Sequence, residues 1–167
     1  MEKKTVVIIN GAGGTGKDTL CEITSRHYKT RTISAVDRVK EIALFGGWNG
    51  VKDDRGRKLL SDIKQAFVDY DDLPRRWLVD SYREFLTTDE RIMFIHCREP
   101  EEIQKLKEAI PGSLALLVRR PGAQKHFGNA SDDRVEAFEY DFIYENNKTL
   151  ADVEEDFLPT LRKILEA

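Results

Sequence analysis

The chain has 167 residues, with 27 Lys+Arg against 30 Asp+Glu and a formal net charge of −3. That length fits one domain with a sizeable buried core, and 40% hydrophobic residues exclude a fully disordered chain. The near-neutral balance argues against a broadly basic nucleic-acid-binding surface, and no stretch reaches the roughly 18 apolar residues of a membrane helix.

In chain order, Lys3 and Lys4 precede an apolar run at 6–9 that is far too short for a signal h-region. Residues 5–9 (TVVII) are β-branched and continuous, as in a strand buried on both faces. Residues 10–16 are glycine-rich, and 17–28 read as a helix with Leu20, Ile23 and His27 on one side. A weak strand follows at 30–34, then a helix at 35–45 ended by Gly46-Gly47. Residues 46–56 read as a polar turn. An amphipathic helix spans 58–70, and Pro74 opens the next one, with Trp77, Leu78, Tyr82 and Phe85 at helical spacing.

A short strand is predicted at 92–95, and Pro100 starts a helix with Glu101 and Glu102 in its first turn, where the dipole favours acids. Residues 114–118 read as a buried strand, 119–129 as a polar, basic, turn-rich segment, 132–138 as a short helix and 142–144 as a last strand. Thr149 with Asp152 resembles a capping box for a final helix that Pro159 kinks or splits. Five strands alternating with helices predict a doubly wound parallel α/β sheet. Cys21 and Cys97 are too few for a disulfide scaffold or a cysteine-built zinc site. They read as reduced core thiols, which predicts a soluble cytoplasmic protein.

The most informative segment is NGAGGTGKDTL at 10–20. Gly11, four residues, then Gly16-Lys17 is the G-x4-G-K core of a Walker A loop, between a buried strand and a helix. Glycines let backbone N–H groups turn inward onto phosphate oxygens, and the helix N-terminus adds positive charge. On this reading Gly11, Gly13, Gly14, Thr15, Gly16, Asp18 and Thr19 cradle a nucleotide, and Lys17 bridges its terminal phosphates. The overlapping Gly11-x-Gly13-x-x-Gly16 has the spacing of a dinucleotide fingerprint, with Asp37 as the acid about 20 residues on. Lys17 directly after the last glycine favours the triphosphate form. Where that motif places a Mg²⁺-binding hydroxyl, this chain has Asp18, a hard oxygen donor that also suits a helix first turn.

GAGGTGKDT resembles the loop of phage and bacterial deoxynucleoside monophosphate kinases, within the nucleoside monophosphate kinase group. The likeness continues in order through SAVDRVK at 34–40, KLLSDIKQAFVDY at 58–70, IHCREPEEI at 95–103, the lid-like 129–134 and DFIYENNKTL at 141–150. It implies a three-layer P-loop kinase fold: a five-stranded parallel sheet with helices on both faces, in one domain over 1–167. It further implies a helical acceptor-binding insert at 35–90, a lid at 119–138, ATP and Mg²⁺ as cofactors, and a small-molecule nucleotide as acceptor. Through the resemblance alone, Asp37 and Lys40 contact the acceptor, and Asn146 lies in the nucleotide-side loop. Two positions depart from it. The family's Asp at the end of the third strand is His96, and the basic residue expected near the end of the 58–70 helix is Asp69.

Phosphoryl transfer needs positioning and charge neutralisation, so basic side chains should converge on the loop. Arg98 follows the third strand, and Glu99 is a water-mediated Mg²⁺ contact or a helix-start acid. Arg119 and Arg120 follow the fourth strand, suited to stacking on adenine or entering a lid. With Lys125, His126 and Arg134 they form a basic stretch hinged by Gly122 and Gly128. Arg75 and Arg76 sit at a helix start, where cations oppose the dipole, which points to an acceptor phosphate. Lys17, Arg98, Arg120 and Arg134 are thus the candidate catalytic cations. Trp48, in a glycine-rich turn, is a candidate base contact. The three histidines lack zinc-ligand spacing.

The leading expectation is an ATP-dependent kinase for a (deoxy)nucleoside monophosphate, with neither nucleic acid nor membrane as partner. Other small acceptors, such as dephospho-CoA or a phosphomevalonate-like molecule, and a nucleotide-binding regulator without turnover, are the alternatives. A switch GTPase is excluded, because Asn147-Lys148-Thr149-Leu150 lacks the guanine-reading Asp. The sequence leaves the oligomeric state open, a homodimer included.

Overall fold

The computed structural model describes residues 2–122 and 134–167. Five parallel strands form one sheet: β1 (Thr5–Asn10), β2 (Thr30–Ser34), β3 (Ile92–His96), β4 (Leu114–Arg119) and β5 (Phe142–Glu145), in the order β2-β3-β1-β4-β5. β1 is central, and its register sets Ile9 opposite His96 on one side and Leu116 on the other.

Every residue of β1 is buried, which explains its unbroken apolar run. Val7 and Ile9 face α1 (Lys17–His27) and the C-terminal helix α6 (Val153–Glu166), packing with Leu20, Ile23, Phe157 and Leu161. Val6 and Ile8 face the other layer, α4 (Leu73–Phe85) and α5 (Pro100–Ala109), with Leu78, Phe85, Ile103 and Leu106. The remaining helices, α2 (Val36–Phe45) and α3 (Asp54–Asp71), have a small core of their own, Val39, Ala43 and Leu60, against which Trp48, Ile63 and Trp77 pack. The strands' C-terminal ends, the glycine loop and the starts of α1, α2 and α5 thus share one edge. In this architecture ligands bind there.

Several local expectations are corrected. α3 starts at Asp54, inside the stretch read as a turn, because the Asp53 side chain accepts from the Gly56 amide at 2.8 Å and caps the helix. Thr149 is not the cap of α6. Asp152 is the N-cap, and the Thr149 hydroxyl donates to its carboxylate at 2.9 Å. Pro159 does not split α6, which runs unbroken past it. The proline and Glu155 are both exposed, so the carbonyl left without an amide partner faces water. Of the helix expected at 132–138, the described residues form a 3-10 turn at Val135–Ala137. Trp48 is not presented to a base: its indole N–H donates to the Val51 carbonyl at 3.2 Å while its ring packs on the α2–α3 core.

Candidate functional site

The glycine loop joins β1 to α1 by close approaches that a side chain would prevent. A Cβ on Gly11 would lie 2.4 Å from the Val118 carbonyl oxygen of β4. Gly16 has φ +95° and is the N-cap of α1, so no side chain covers the first turn of that helix. A Cβ there would lie 2.5 Å from the Asn146 amide nitrogen. Thr15 is buried and its hydroxyl donates to the Ala12 carbonyl at 2.9 Å, closing the loop on itself. Gly13 and Gly14 form its outer turn. Lys17 reaches back over the loop, and its ammonium donates to the carbonyls of Gly11 and, at 3.2 Å, Ala12. Open amides at a helix start, beside a lysine, are a phosphate cradle.

Two side chains hold this loop from either side: Asn10, which the sequence did not single out, and Asn146, which the resemblance placed in the nucleotide-side loop. The Asn10 side chain is fully buried, accepts from the Gly11 amide at 2.8 Å, and donates to the Arg98 carbonyl at 3.0 Å and the Tyr140 hydroxyl at 2.8 Å. Tyr140 in turn donates to the Val135 carbonyl at 2.6 Å. The loop, the segment after β3 and the approach to β5 are therefore tied through one amide. The only sequence signal for Asn10 was a polar residue ending an apolar strand. Asn146 acts from the other side, its amide donating to the Thr15 carbonyl at 2.8 Å. It is buried, so it braces the loop.

Asp18 is fully exposed in the first turn of α1, and Thr19 is half-buried beside it. The Asp18 carboxylate lies 3.7 Å from Nε2 of His96, which also lies 3.8 Å from the Cys21 sulfur. Burial lowers the His96 pKa, Asp18 opposes that shift, and Lys17 adds to it. The imidazole is accordingly neutral at pH 7. Burial pushes the Cys21 and Cys97 thiols up to about 12, so both stay protonated.

The other candidates divide. Arg98 is exposed at the end of β3, and Glu99, the N-cap of α5, lies 4.0 Å from Lys64. Arg119 and Arg120 line a cavity of about 270 Å³ with Ala12, Thr15, Glu136 and Glu145. Arg119 is clamped there by Glu136 and, at 3.2 Å, Glu145, which raises its pKa. Arg134 pairs with Glu101 on α5. The lid expectations at Lys125, His126 and Gly128 lie outside the described residues. Asp37 caps the turn into α2, accepting from the Ser34 amide at 2.8 Å. Lys40 is partly buried next to Lys52, and desolvation lowers its pKa. Arg75 and Arg76 form ion pairs with Asp72, at 2.9 Å, and Asp71. They line a groove between α4 and α5 with Arg83 and Lys105, and no glycine-loop residue lines it.

No protein-family model matches the sequence, and no curated protein is significantly similar to it. Solved structures are similar in fold. A shikimate kinase from Aquifex aeolicus matches with a TM-score of 0.52 at 11% identity, over 95% of this chain and 97% of that one. TT1252 from Thermus thermophilus matches at 0.52 and 17%, over 97% and 98%. A sugar kinase from Janibacter sp. matches at 0.50 and 16%, over 96% and 95%. The chain has the P-loop kinase fold.

Proposed function

We propose that the protein transfers the terminal phosphoryl group of ATP to a small phosphorylated acceptor, with a (deoxy)nucleoside monophosphate the first acceptor class. The observation that carries this is the loop at 10–20. Gly11 and Gly16 pack where no side chain fits, the start of α1 is uncovered, and Lys17 lies over the loop. In this reading the amides of the loop and of α1 bind the phosphates, and Lys17 neutralises charge as the terminal group transfers. The cavity beside Arg119 and Arg120 takes the base, where a planar guanidinium can stack. Arg98 and Arg134 supply further positive charge, Arg134 after leaving Glu101.

The donor set at the loop fits a divalent cation. Asp18 offers an exposed carboxylate at the loop–helix junction, and Glu99 a second one at the start of α5. Bound there with the nucleotide, such a cation supplies charge neutralisation. The acceptor lies against α2–α4, with Asp37 and Lys40 at the near end. Arg75 and Arg76 serve it only by exchanging their aspartates for its phosphate.

The test is purified protein with ATP and Mg²⁺ against a panel of nucleoside monophosphates, with dephospho-CoA, shikimate and simple sugars as further arms. ADP formation that depends on one monophosphate supports the reading. Dependence on a hydroxyl acceptor keeps the kinase and replaces its substrate. Tight ATP binding without ADP in any arm replaces the kinase by a nucleotide-binding regulator.

A further inference from the structure

We propose that His96 is a protein ligand of the cation that accompanies the nucleotide, beside Asp18, so that the site favours Mn²⁺ or Co²⁺ over Mg²⁺. The inference rests on the reading of the loop as a nucleotide site. Its basis is a juxtaposition that the sequence did not announce. Nε2 of His96 and Oδ1 of Asp18 are 3.7 Å apart. Two donors bound to one ion at roughly 2.0–2.2 Å lie no more than about 4.3 Å apart, so this pair is within reach of one cation. Rigid elements set both backbones: His96 ends β3 opposite Ile9, and Asp18 lies in the first turn of α1, its exposed carboxylate free to turn toward an ion.

The chemistry of the pair separates the cations. Mg²⁺ prefers oxygen ligands in near-ideal octahedral geometry and gives up water reluctantly. Imidazole adds affinity for first-row transition ions that rises from Mn²⁺ through Co²⁺. Cys21 is the other neighbour of Nε2, its buried sulfur 3.8 Å away. Among the described residues no group of three or more His, Cys, Asp and Glu could hold a metal. With Glu99 acting through water, two direct protein donors leave the remaining positions to phosphate oxygens and water, so cation binding should require the nucleotide. An acidic residue at position 96 would give an all-oxygen site. The histidine changes which ion fits, without removing the site.

The experiment uses the full chain labelled with ¹⁵N-histidine, with Mn²⁺ and β,γ-methylene-ATP. Pulsed electron paramagnetic resonance reads the nitrogens bound to Mn²⁺, and calorimetry follows nucleotide binding in parallel. The expected result is a ¹⁵N coupling in the wild type that disappears in His96→Asn. The preference for Mn²⁺ over Mg²⁺ should fall with it by about tenfold, a size that even outer-shell partners of a metal reach. His96→Gln provides a second variant, and the wild-type spectrum is decisive without either. Nucleotide binding with no histidine coupling, or a coupling that survives in His96→Asn, overturns the inference and leaves the nucleotide site intact. No nucleotide binding in the wild type overturns both.

Discussion

At the scale of single residues, the site is a backbone cradle with a lysine lying over it. Lys17→Ala should leave the fold intact, because the side chain is only partly buried and its partners are loop carbonyls. Turnover should fall by about 10²–10³, the usual size for one electrostatic stabiliser. Steady-state kinetics with circular dichroism checks both halves. Gly11→Ala should act differently. The new Cβ would meet a backbone oxygen of β4 at 2.4 Å, and neither strand can yield without breaking the sheet. Calorimetry should then show lost nucleotide binding, and denaturation a stability loss of about 1–3 kcal/mol. Lys17 and the glycines were legible because the motif is local: its geometric demands fall within seven residues and each leaves a signature at a fixed spacing. Asn10, Tyr140 and the bracing role of Asn146 were not. Each acts through hydrogen bonds to residues far away in sequence, and one polar residue at a strand end looks like any other.

At the scale of elements, alternation of apolar strands with amphipathic helices was legible because each element carries its own period. All five strands fall within one residue of where the sequence predicts them. What failed was punctuation, since boundaries depend on which side chain reaches which amide. Asp53 wins α3 four residues early, and Thr149 gives its hydroxyl to Asp152 instead of capping. Pro159 shows the same limit. A proline inside a helix removes one hydrogen bond and crowds the preceding turn, yet the packing of Val153, Phe157, Leu161 and Ile164 on the sheet holds α6 together. The helix therefore tolerates the proline at a cost that substitution should recover. Pro159→Ala restores an amide facing the Glu155 carbonyl and replaces the worst helix former by the best. Urea denaturation should show it stabilised by about 1–3 kcal/mol.

At the scale of the molecule, two cores sandwich the sheet and a third, smaller one belongs to α2 and α3. On the proposed reading this small core, which also packs Trp77 of α4, is the acceptor side, attached at the edge where the loop sits. That edge also concentrates titratable groups. Lys17, Asp18, Asp37 and Arg98 all act on His96 there. The folded protein holds the His96 pKa below its ordinary 6.5, chiefly by burial, whereas the unfolded chain does not. Between the two values the unfolded state binds more protons. Stability therefore falls as pH drops through 6.5 toward the folded value, and is unaffected by this group above about pH 7.5. The carboxylates held low by arginines, Glu101 and Glu136, lose their contributions further down, as pH falls below 4.5. The two windows are separable with one variant. His96→Asn cannot titrate, so without added metal its stability should be flatter than the wild type's across the upper window and parallel to it in the lower one. Denaturation midpoints measured at closely spaced pH values check this. Identical slopes between pH 7 and 5 would show that the edge accommodates the imidazolium, and that the lowered pKa assigned to His96 is wrong.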